Sequence, residues 1–490
     1  MKHTDTADRL REALTEADYT VDAVLGRIGA EGQRALGRNS TVAAEWALGR
    51  ETDPLATLIR LWLLQQPLPR KAVDRALPEM VDPLITADIL TGDARTVTAS
   101  VDVRPYAADD GTDGWVVSDL VNGLDAQPTP PRSDYVLGIS PASTSLAQLT
   151  MRGGISSALD LGAGCGVQSL HLSRHARRVV ATDLNPRANQ LAAWTYRLSG
   201  VEPEQRLGSL YEPVAGEAFD LIVTNPPYVM SPPGDRRLVY REGSMVADGL
   251  VEAIVRGCVD HLNPGGSLQV LGNWAILDSD RWAERLADWI PAGCDALVME
   301  RERLDPFEYI EIWLADAGLV GDPRHGERYR EWLDYFDDLG ITGVGMGWLL
   351  VHRSGSTAPD IRIEQWPHAV EQPVGPAFAA HRQAVEYARR SDAEVLATNW
   401  RLADDIVQET IGEPGAPDPR HIVLRSQRGF RRAVEVDTAL GGVLGACDGD
   451  LPLGAIVSAV AGLLDVDAEA LVTDLLPRIR RLLSDGMLTH

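Results

Sequence analysis

The sequence predicts an α/β protein whose central part, from Tyr135 to about Ser354, folds as a mostly parallel sheet with helices on both faces. Short apolar runs, "ALDLG", "RVVATD" and "FDLIVTN", alternate with amphipathic stretches over Val167 to Arg174 and Ala188 to Leu198, the spacing of strand-helix-strand units. A glycine-rich stretch, "LDLGAGCG", joins one of these strands to the helix after it. The strands also end on polar residues, Asp160, Asp183 and Asn225, so chemistry-bearing side chains collect at one edge of the sheet.

Around this core the pattern changes. Residues 1–125 begin with helical periodicity, including "TLIRLWLLQQPLPRKAVDRAL", in which Pro67 and Pro69 break two apolar-faced helices. "TVTASVDVRPYA" and "GWVVSDL" then alternate as strands around the turn-rich "ADDGTDG", which reads as a hairpin. Helices followed by a two-stranded wing predict an α+β, winged-helix-like N-terminal domain for substrate recognition. The Pro/Ser/Asp segment Asp125–Asp134 reads as a linker between this domain and the core, assigned to residues 135–354. The core continues through the helix "GLVEAIVRGCVDHL" and the strands "SLQVLG", "ALVMER" and "VGMGWLLVH". Two helical stretches between the last two strands, "FEYIEIWLADAG" and "RYREWLDYFDD", exceed a minimal connection. Residues 358–490 begin irregularly and end in three helices, which predicts a mainly helical, winged-helix-like third domain. In its last helix Leu471, Leu475, Ile479 and Leu482 share a face, and Asp465 or Asp467 can cap the start.

The composition of the 490 residues, 44% hydrophobic and 24% charged, is that of a globular chain of several domains. With no basic-then-apolar leader and no membrane-spanning apolar run, a soluble, cytoplasmic protein is expected, with no membrane partner. Cys165, Cys258, Cys294 and Cys447 are scattered, which predicts reduced thiols and no zinc knuckle. His171 and His175 stand four apart on a helix without a third ligand, so no metal site is expected and "SRHARR" reads as an exposed helix end. The net charge of −25 repels a phosphate backbone over the chain as a whole, although a local basic patch can still act within the screening length.

Gly162, Gly164 and Gly166 follow the G-x-G-x-G spacing, which differs from that of dinucleotide binders, and no G-K-[ST] follows as in a phosphate-binding loop. Glycines here let the backbone approach a ligand closely. Asp183, at the end of the neighbouring strand, can accept hydrogen bonds from both hydroxyls of a ribose. Asp160 suits a positive charge, which a pyrophosphate is not. Together they point to a nucleoside bearing a cation, a description that S-adenosyl-L-methionine fits.

The next strand delivers "NPPY", Asn225, Pro226, Pro227 and Tyr228, to the same crevice. An amide or aryl amine is a poor nucleophile because its lone pair is delocalised. Two acceptors on its two N–H bonds orient the nitrogen, and Asn225 Oδ1 and the Pro226 carbonyl are suited to be that pair. The prolines fix the backbone direction, and Tyr228 offers a flat face for a planar group.

With these residues in order, the stretch from Tyr135 to Ser354 resembles a class I S-adenosylmethionine-dependent methyltransferase. "LNPGG", Leu262 to Gly266, looks like a turn that family carries. The resemblance implies a Rossmann-like, seven-stranded core. It implies that Asp160, Gly162, Gly164 and Gly166 line the methionine moiety, with Asp183 at the ribose. Ser209 and Leu210 of "GSL" fall where the family places its adenine contact, with Ser209 in place of the usual acidic residue. Asn225 borders both cofactor and acceptor, and Val136 to Thr144 lies where a segment closes over the cofactor. Asn225 to Tyr228 resemble the signature of methyltransferases acting on planar nitrogens, namely HemK-type protein glutamine N5-methyltransferases, adenine-N6 or guanine-N2 enzymes of DNA and RNA, and methyltransferase small domains.

For the acceptor, a macromolecule, the sequence favours a protein glutamine amide over an rRNA or DNA base. Gly243 and Asp248-Gly249-Leu250 in "YREGSMVADGLVEAIV" resemble the glutamine enzymes, without their Glu-Pro element, and the acidic net charge points the same way. Residues 1–125 are longer than the helical bundle of that family, and the last 130 or so residues have no counterpart there. An exocyclic amine of a nucleic acid is the alternative, followed by a noncatalytic module that keeps the cofactor pocket. "RSQRGFRR", Arg425 to Arg432, reads as a solvated strand edge ahead of a phosphate contact with Phe430 as a base platform. Trp194, Trp274 and Trp282 read as packing residues, and Asn273 as an extra polar contact near the crevice.

Overall fold

The computed structural model describes residues 2–126, 132–233, 245–278, 281–413 and 419–490. Gly243 and the middle of the Asp125–Asp134 linker lie outside the described residues.

The N-terminal region contains α1 (Lys2–Glu16), α2 (Val21–Leu36), α3 (Val42–Leu48), α4 (Pro54–Leu58), β1 (Leu68–Pro69), α5 (Arg70–Ala76), α6 (Val81–Thr86), β2 (Leu90–Gly92), β3 (Thr96–Ala99), β4 (Asp102–Ala107) and β5 (Asp113–Ser118). The hairpin read from the sequence is β4 and β5, paired antiparallel from Asp102↔Ser118 to Ala107↔Asp113. The first residues of "TVTASVDVRPYA" turn away instead and join β1 and β2 in a separate three-stranded sheet, order β1-β3-β2.

The core follows with α7 (Pro141–Leu149), β6 (Ile155–Leu161), α8 (Val167–His175), β7 (Ala176–Asp183), α9 (Pro186–Ser199), β8 (Glu204–Leu207), β9 (Phe219–Thr224), α10 (Gly249–Gly257), β10 (Leu262–Ile276), α11 (Trp282–Ala287), β11 (Asp295–Leu304), α12 (Pro306–Asp316), α13 (His325–Asp338), β12 (Gly343–His352) and β13 (Ile361–Gln365). They form one sheet of order β13-β11-β12-β10-β9-β6-β7-β8. Pairs within β10-β9-β6-β7-β8 are parallel, and β12 runs antiparallel between β10 and β11. The sheet has one strand more than the seven expected. β13 pairs in parallel with β11 from Ala296↔Ile361 to Glu300↔Gln365, so the sheet continues past Ser354. Its mixed side chains, Arg362, Glu364 and Gln365 among them, suit an edge position and hide it from an apolar-run search.

After β6 the chain builds β7 and β8 on one side, then crosses to β9 on the other. A crevice therefore opens at the carboxyl ends of β6 and β9, where Thr224 Oγ1 donates to the Leu161 carbonyl at 2.7 Å. The N-terminal region packs on this core and shares its apolar cluster, which runs from Leu10 and Trp62 to Leu191 and Leu198. Polar ties reinforce the packing. Val117 N donates to Thr195 Oγ1 at 2.9 Å and Trp115 N to Ser199 Oγ at 3.0 Å, and Arg197 pairs with Asp8 at 2.5 Å. Residues 1–147 and 153–366 form one compact unit, and 148–152 with 367–490 form a second.

The second unit holds α14 (Gly375–Ala388), α15 (Asp392–Ala397), β14 (Arg401–Leu402), β15 (Ile406–Ile411), β16 (His421–Ser426), β17 (Ala433–Val436), α16 (Thr438–Gly445), α17 (Leu453–Leu464), α18 (Ala468–Ser484) and β18 (Leu488–Thr489). It is less purely helical than expected, because β15, β16 and β17 form an antiparallel sheet. Their burial alternates only weakly, so no strand period stands out in the sequence. Asp467 caps α18 by accepting from Ala470 N at 2.8 Å, whereas Asp465 ends α17 in a left-handed conformation. Among the described residues no helix is long and apolar enough to cross a membrane.

Candidate active site

A cleft of about 210 Å³ opens at the crevice between β6 and β9. Of the residues expected there, Asp160, Gly162, Gly164, Asp183, Ser209, Leu210, Asn225, Pro226 and Pro227 line it, as do Val136 to Gly138, Ser140 and Ser143 of the pre-strand segment. Gly166 and Tyr228 do not. Gly166, at φ 85°, begins α8, and a Cβ there would stand 2.5 Å from the Tyr196 ring, so this glycine serves the packing of helix on helix. Tyr228 is half-buried with its ring edge-on to Trp313 at 6.4 Å.

At Gly162 and Gly164 the backbone adopts φ of 79° and 56°, and a Cβ would meet no protein atom within 4 Å. These two glycines leave a cradle that a side chain would fill. The loop is held from below, since Gly162 N and Ala163 N both donate to the Thr182 carbonyl at 2.9 Å.

Two carboxylates face this loop. Asp183 accepts from Gly164 N and Asn185 N, each at 2.8 Å and each on a different oxygen, which leaves lone pairs on both for further donors. Burial raises its pKa, and the backbone donors partly oppose that rise. Asp160 is 1% exposed, and burial pushes its pKa up to about 7, against the hydrogen bond from Ser169 Oγ at 2.6 Å. Tyr196 OH donates to the same Ser169 oxygen at 3.0 Å. A carboxyl held this way gains most from a ligand that brings a positive charge. Burial also pushes the Cys165 thiol up to about 11, so it lines the cleft as an inert group.

Past the end of β9, Asn225 Oδ1 is buried and has no hydrogen-bond partner among the described residues, and Thr182 Oγ1, on β7 beside the glycine loop, has none among them either. Buried polar atoms are ordinarily satisfied. Two such atoms on residues lining one cleft fit a ligand that supplies donors.

Sequence reading missed several contributors. Leu184, 57% exposed beside Asp183, adds an apolar side chain to the cleft that Leu210 also lines. Asp119, at the end of the N-terminal hairpin, accepts from Val136 N at 2.7 Å and pairs with Arg187 of α9 at 2.5 Å, so the N-terminal region fixes one wall of the cleft. His171 is buried, contrary to the exposed helix end expected. Its Nδ1 lies 2.8 Å from Asp110 and its Nε2 2.7 Å from Tyr106 OH, both on the hairpin, and His175 reaches Asp110 at 3.3 Å. No local pattern around "SRHARR" announces a partner 61 residues away. Among the described residues no group of three or more His, Cys, Asp and Glu could hold a metal ion. Trp274 is fully buried and stacks on Trp282 at 6.1 Å. Phe430 is also buried, edge-on to Phe378 at 4.9 Å, and is therefore not a base platform.

Residues 139–281 match the family described as methyltransferase small domain. Residues 16–100 and 379–490 match two domains of unknown function, DUF7059 and DUF7782. Over 117 residues the chain is 31% identical to ribosomal RNA small subunit methyltransferase C of Shigella flexneri and of Escherichia coli K12, a stretch covering 24% of this chain and 30% of the length of each relative. Among solved structures it resembles a 16S rRNA N2 methyltransferase of T. thermophilus in complex with AdoMet and guanosine, at 17% identity and a TM-score of 0.25, over 40% of this chain and 53% of that one. The central part of this chain, residues 139–281, is thus similar to methyltransferase small domains.

Proposed function

We propose that the protein transfers a methyl group from S-adenosyl-L-methionine to an exocyclic amine of an RNA base, guanine N2 or adenine N6. The observation that carries this reading is the buried Asn225 Oδ1, without a partner among the described residues, in a cleft it shares with the glycine cradle, Asp160 and Asp183. The cofactor, when bound, supplies a methyl group on a positively charged sulfur. Asp183 would hold the ribose hydroxyls, Gly162 and Gly164 would admit the methionine part, and Asp160 would answer its ammonium. Leu184 and Leu210 would flank the adenine.

Asn225 Oδ1 and the Pro226 carbonyl would each accept one N–H of the acceptor amine. That leaves the nitrogen lone pair directed at the methyl carbon for in-line displacement, so that positioning supplies much of the rate. Transfer would form the N–C bond as the S–C bond breaks, with the sulfur keeping that electron pair to become a neutral thioether and the methylated nitrogen shedding one proton to water, since neither oxygen acceptor is a base.

The protein glutamine amide, favoured from the segment around Asp248-Gly249-Leu250 and from net charge, has no support among the relatives reported above, whose names are those of ribosomal RNA methyltransferases. Net charge averages over 490 residues, whereas an acceptor meets only the field around one cleft. The test is to label a lysate of cells lacking this protein with tritiated-methyl cofactor and purified enzyme, then divide it between ribonuclease and protease. Counts lost only to ribonuclease are expected. Counts lost only to protease would restore the glutamine reading.

A further inference from the structure

The edge that carries Asn225 to Tyr228 is held by more than the parallel sheet. Tyr309 of α12 is fully buried, its ring set among Trp313, Trp332 and Phe336 at centroid distances of 6.0, 6.3 and 5.8 Å. Its hydroxyl oxygen accepts from Met230 N at 3.0 Å and from Asn273 Nδ2 at 3.0 Å. Met230 stands two residues beyond Tyr228. Asn273 stands on β10, three residues past Val270, the partner of Thr224 at the end of β9. One hydroxyl thus joins the chain leaving the Asn-Pro-Pro-Tyr edge, the neighbouring strand and the helical insert. On α13, Tyr335 OH accepts from Ala247 N at 3.1 Å, just before α10. Val229 and Met230 are themselves buried in the apolar cluster built by the insert.

A phenylalanine would fill the same aromatic cluster without the cost of burying a hydroxyl. What the tyrosine adds is a fixed point for two donors. The geometry points to α12 and α13 as the acceptor-positioning element of the site, with Tyr309 a positioning residue that acts through Met230 and Asn273 on the Asn225–Tyr228 edge. This inference rests on the methyl-transfer reading above. In-line transfer is sensitive to placement, and a misplacement of about 1 Å costs about 100-fold.

The test is Tyr309→Phe in the full chain. Single-turnover methyl transfer to RNA from cells lacking the protein should fall about 10- to 100-fold. The affinity for S-adenosylhomocysteine, by calorimetry, and the acceptor KM should stay within about threefold of the parent. A merely structural role would lower all three together or leave the rate unchanged, and either result overturns the inference. Hydrogen exchange at the Met230 amide supplies a readout that needs no acceptor. Its protection should fall about tenfold in Tyr309→Phe as the bond is lost, and unchanged protection overturns the inference as well. If the parent labels no RNA, the methyl-transfer reading fails, and the exchange result still decides whether the clamp exists.

Discussion

The two walls of the cleft are built in different ways. On the glycine side the sheet and its own loops satisfy almost everything: Asp183 is held by Gly164 and Asn185, Asp160 by Ser169, and the loop by the Thr182 carbonyl. On the Asn225 side an amide oxygen has no partner among the described residues, and the backbone beyond it is fixed from outside by Tyr309. The first arrangement is that of a binding surface built mostly by the sheet itself, with Thr182 Oγ1 left without a partner among the described residues. The second is that of a surface finished by its substrate, with precision borrowed from an insert.

That contrast makes separable predictions. Asn225→Ala should lower the rate of transfer by about 10²- to 10³-fold, the cost of deleting one preorganised hydrogen-bonding group. Cofactor affinity should change far less, so equal losses in rate and affinity would merge the two walls into one function. Asp183→Ala should do the reverse. Losing hydrogen bonds to a charged acceptor weakens cofactor binding by about 10- to 100-fold, to be read by calorimetry, and unaltered affinity would remove Asp183 from the ribose.

Gly166→Ala tests the scaffold behind the glycine wall. The new Cβ collides with the Tyr196 ring, whose hydroxyl supports Ser169 and through it Asp160. A cost of about 1–3 kcal/mol is expected, seen as a lower melting temperature.

The smallest effect is in pH. Asp160 rises from an ordinary 3.8 to about 7 in the folded protein, so the native state retains a proton that the unfolded chain releases. Its contribution to the stability of the free protein is full below 3.8 and is lost as pH rises through about 7. A cation, by contrast, binds the ionised form. Cofactor affinity should therefore increase with pH up to about 7, by at most about tenfold per unit, and level off above it. Binding below that pH should release a proton, and Asp160→Asn should flatten the profile.

The difference between the walls also explains what the sequence disclosed. Glycine spacing and acids at strand ends are local patterns, so Asp160, Gly162, Gly164 and Asp183 were legible from order alone. Asn225, Pro226 and Pro227 were legible for the same reason. Tyr309, by contrast, lies in "FEYIEIWL", an ordinary amphipathic helix in sequence, and meets Met230 across 79 residues. Asp119 and Asp110 are equally silent, because their partners Arg187 and His171 lie 68 and 61 residues on. The extra strand β13 and the sheet of the second unit were hidden by weak apolar alternation, and net charge, one ground for expecting a protein acceptor, does not describe a single crevice.

In the proposed reaction the Asn225 edge presents two acceptors to an exocyclic amine of an RNA base. Its most direct test is nucleoside-resolved mass analysis of RNA from cells lacking the protein, before and after treatment with enzyme and cofactor. The account predicts a new methyl group on guanine N2 or adenine N6, absent when Asn225→Ala enzyme is used. A methyl group on a ribose oxygen or a ring carbon, or one found only on protein glutamine, would contradict it.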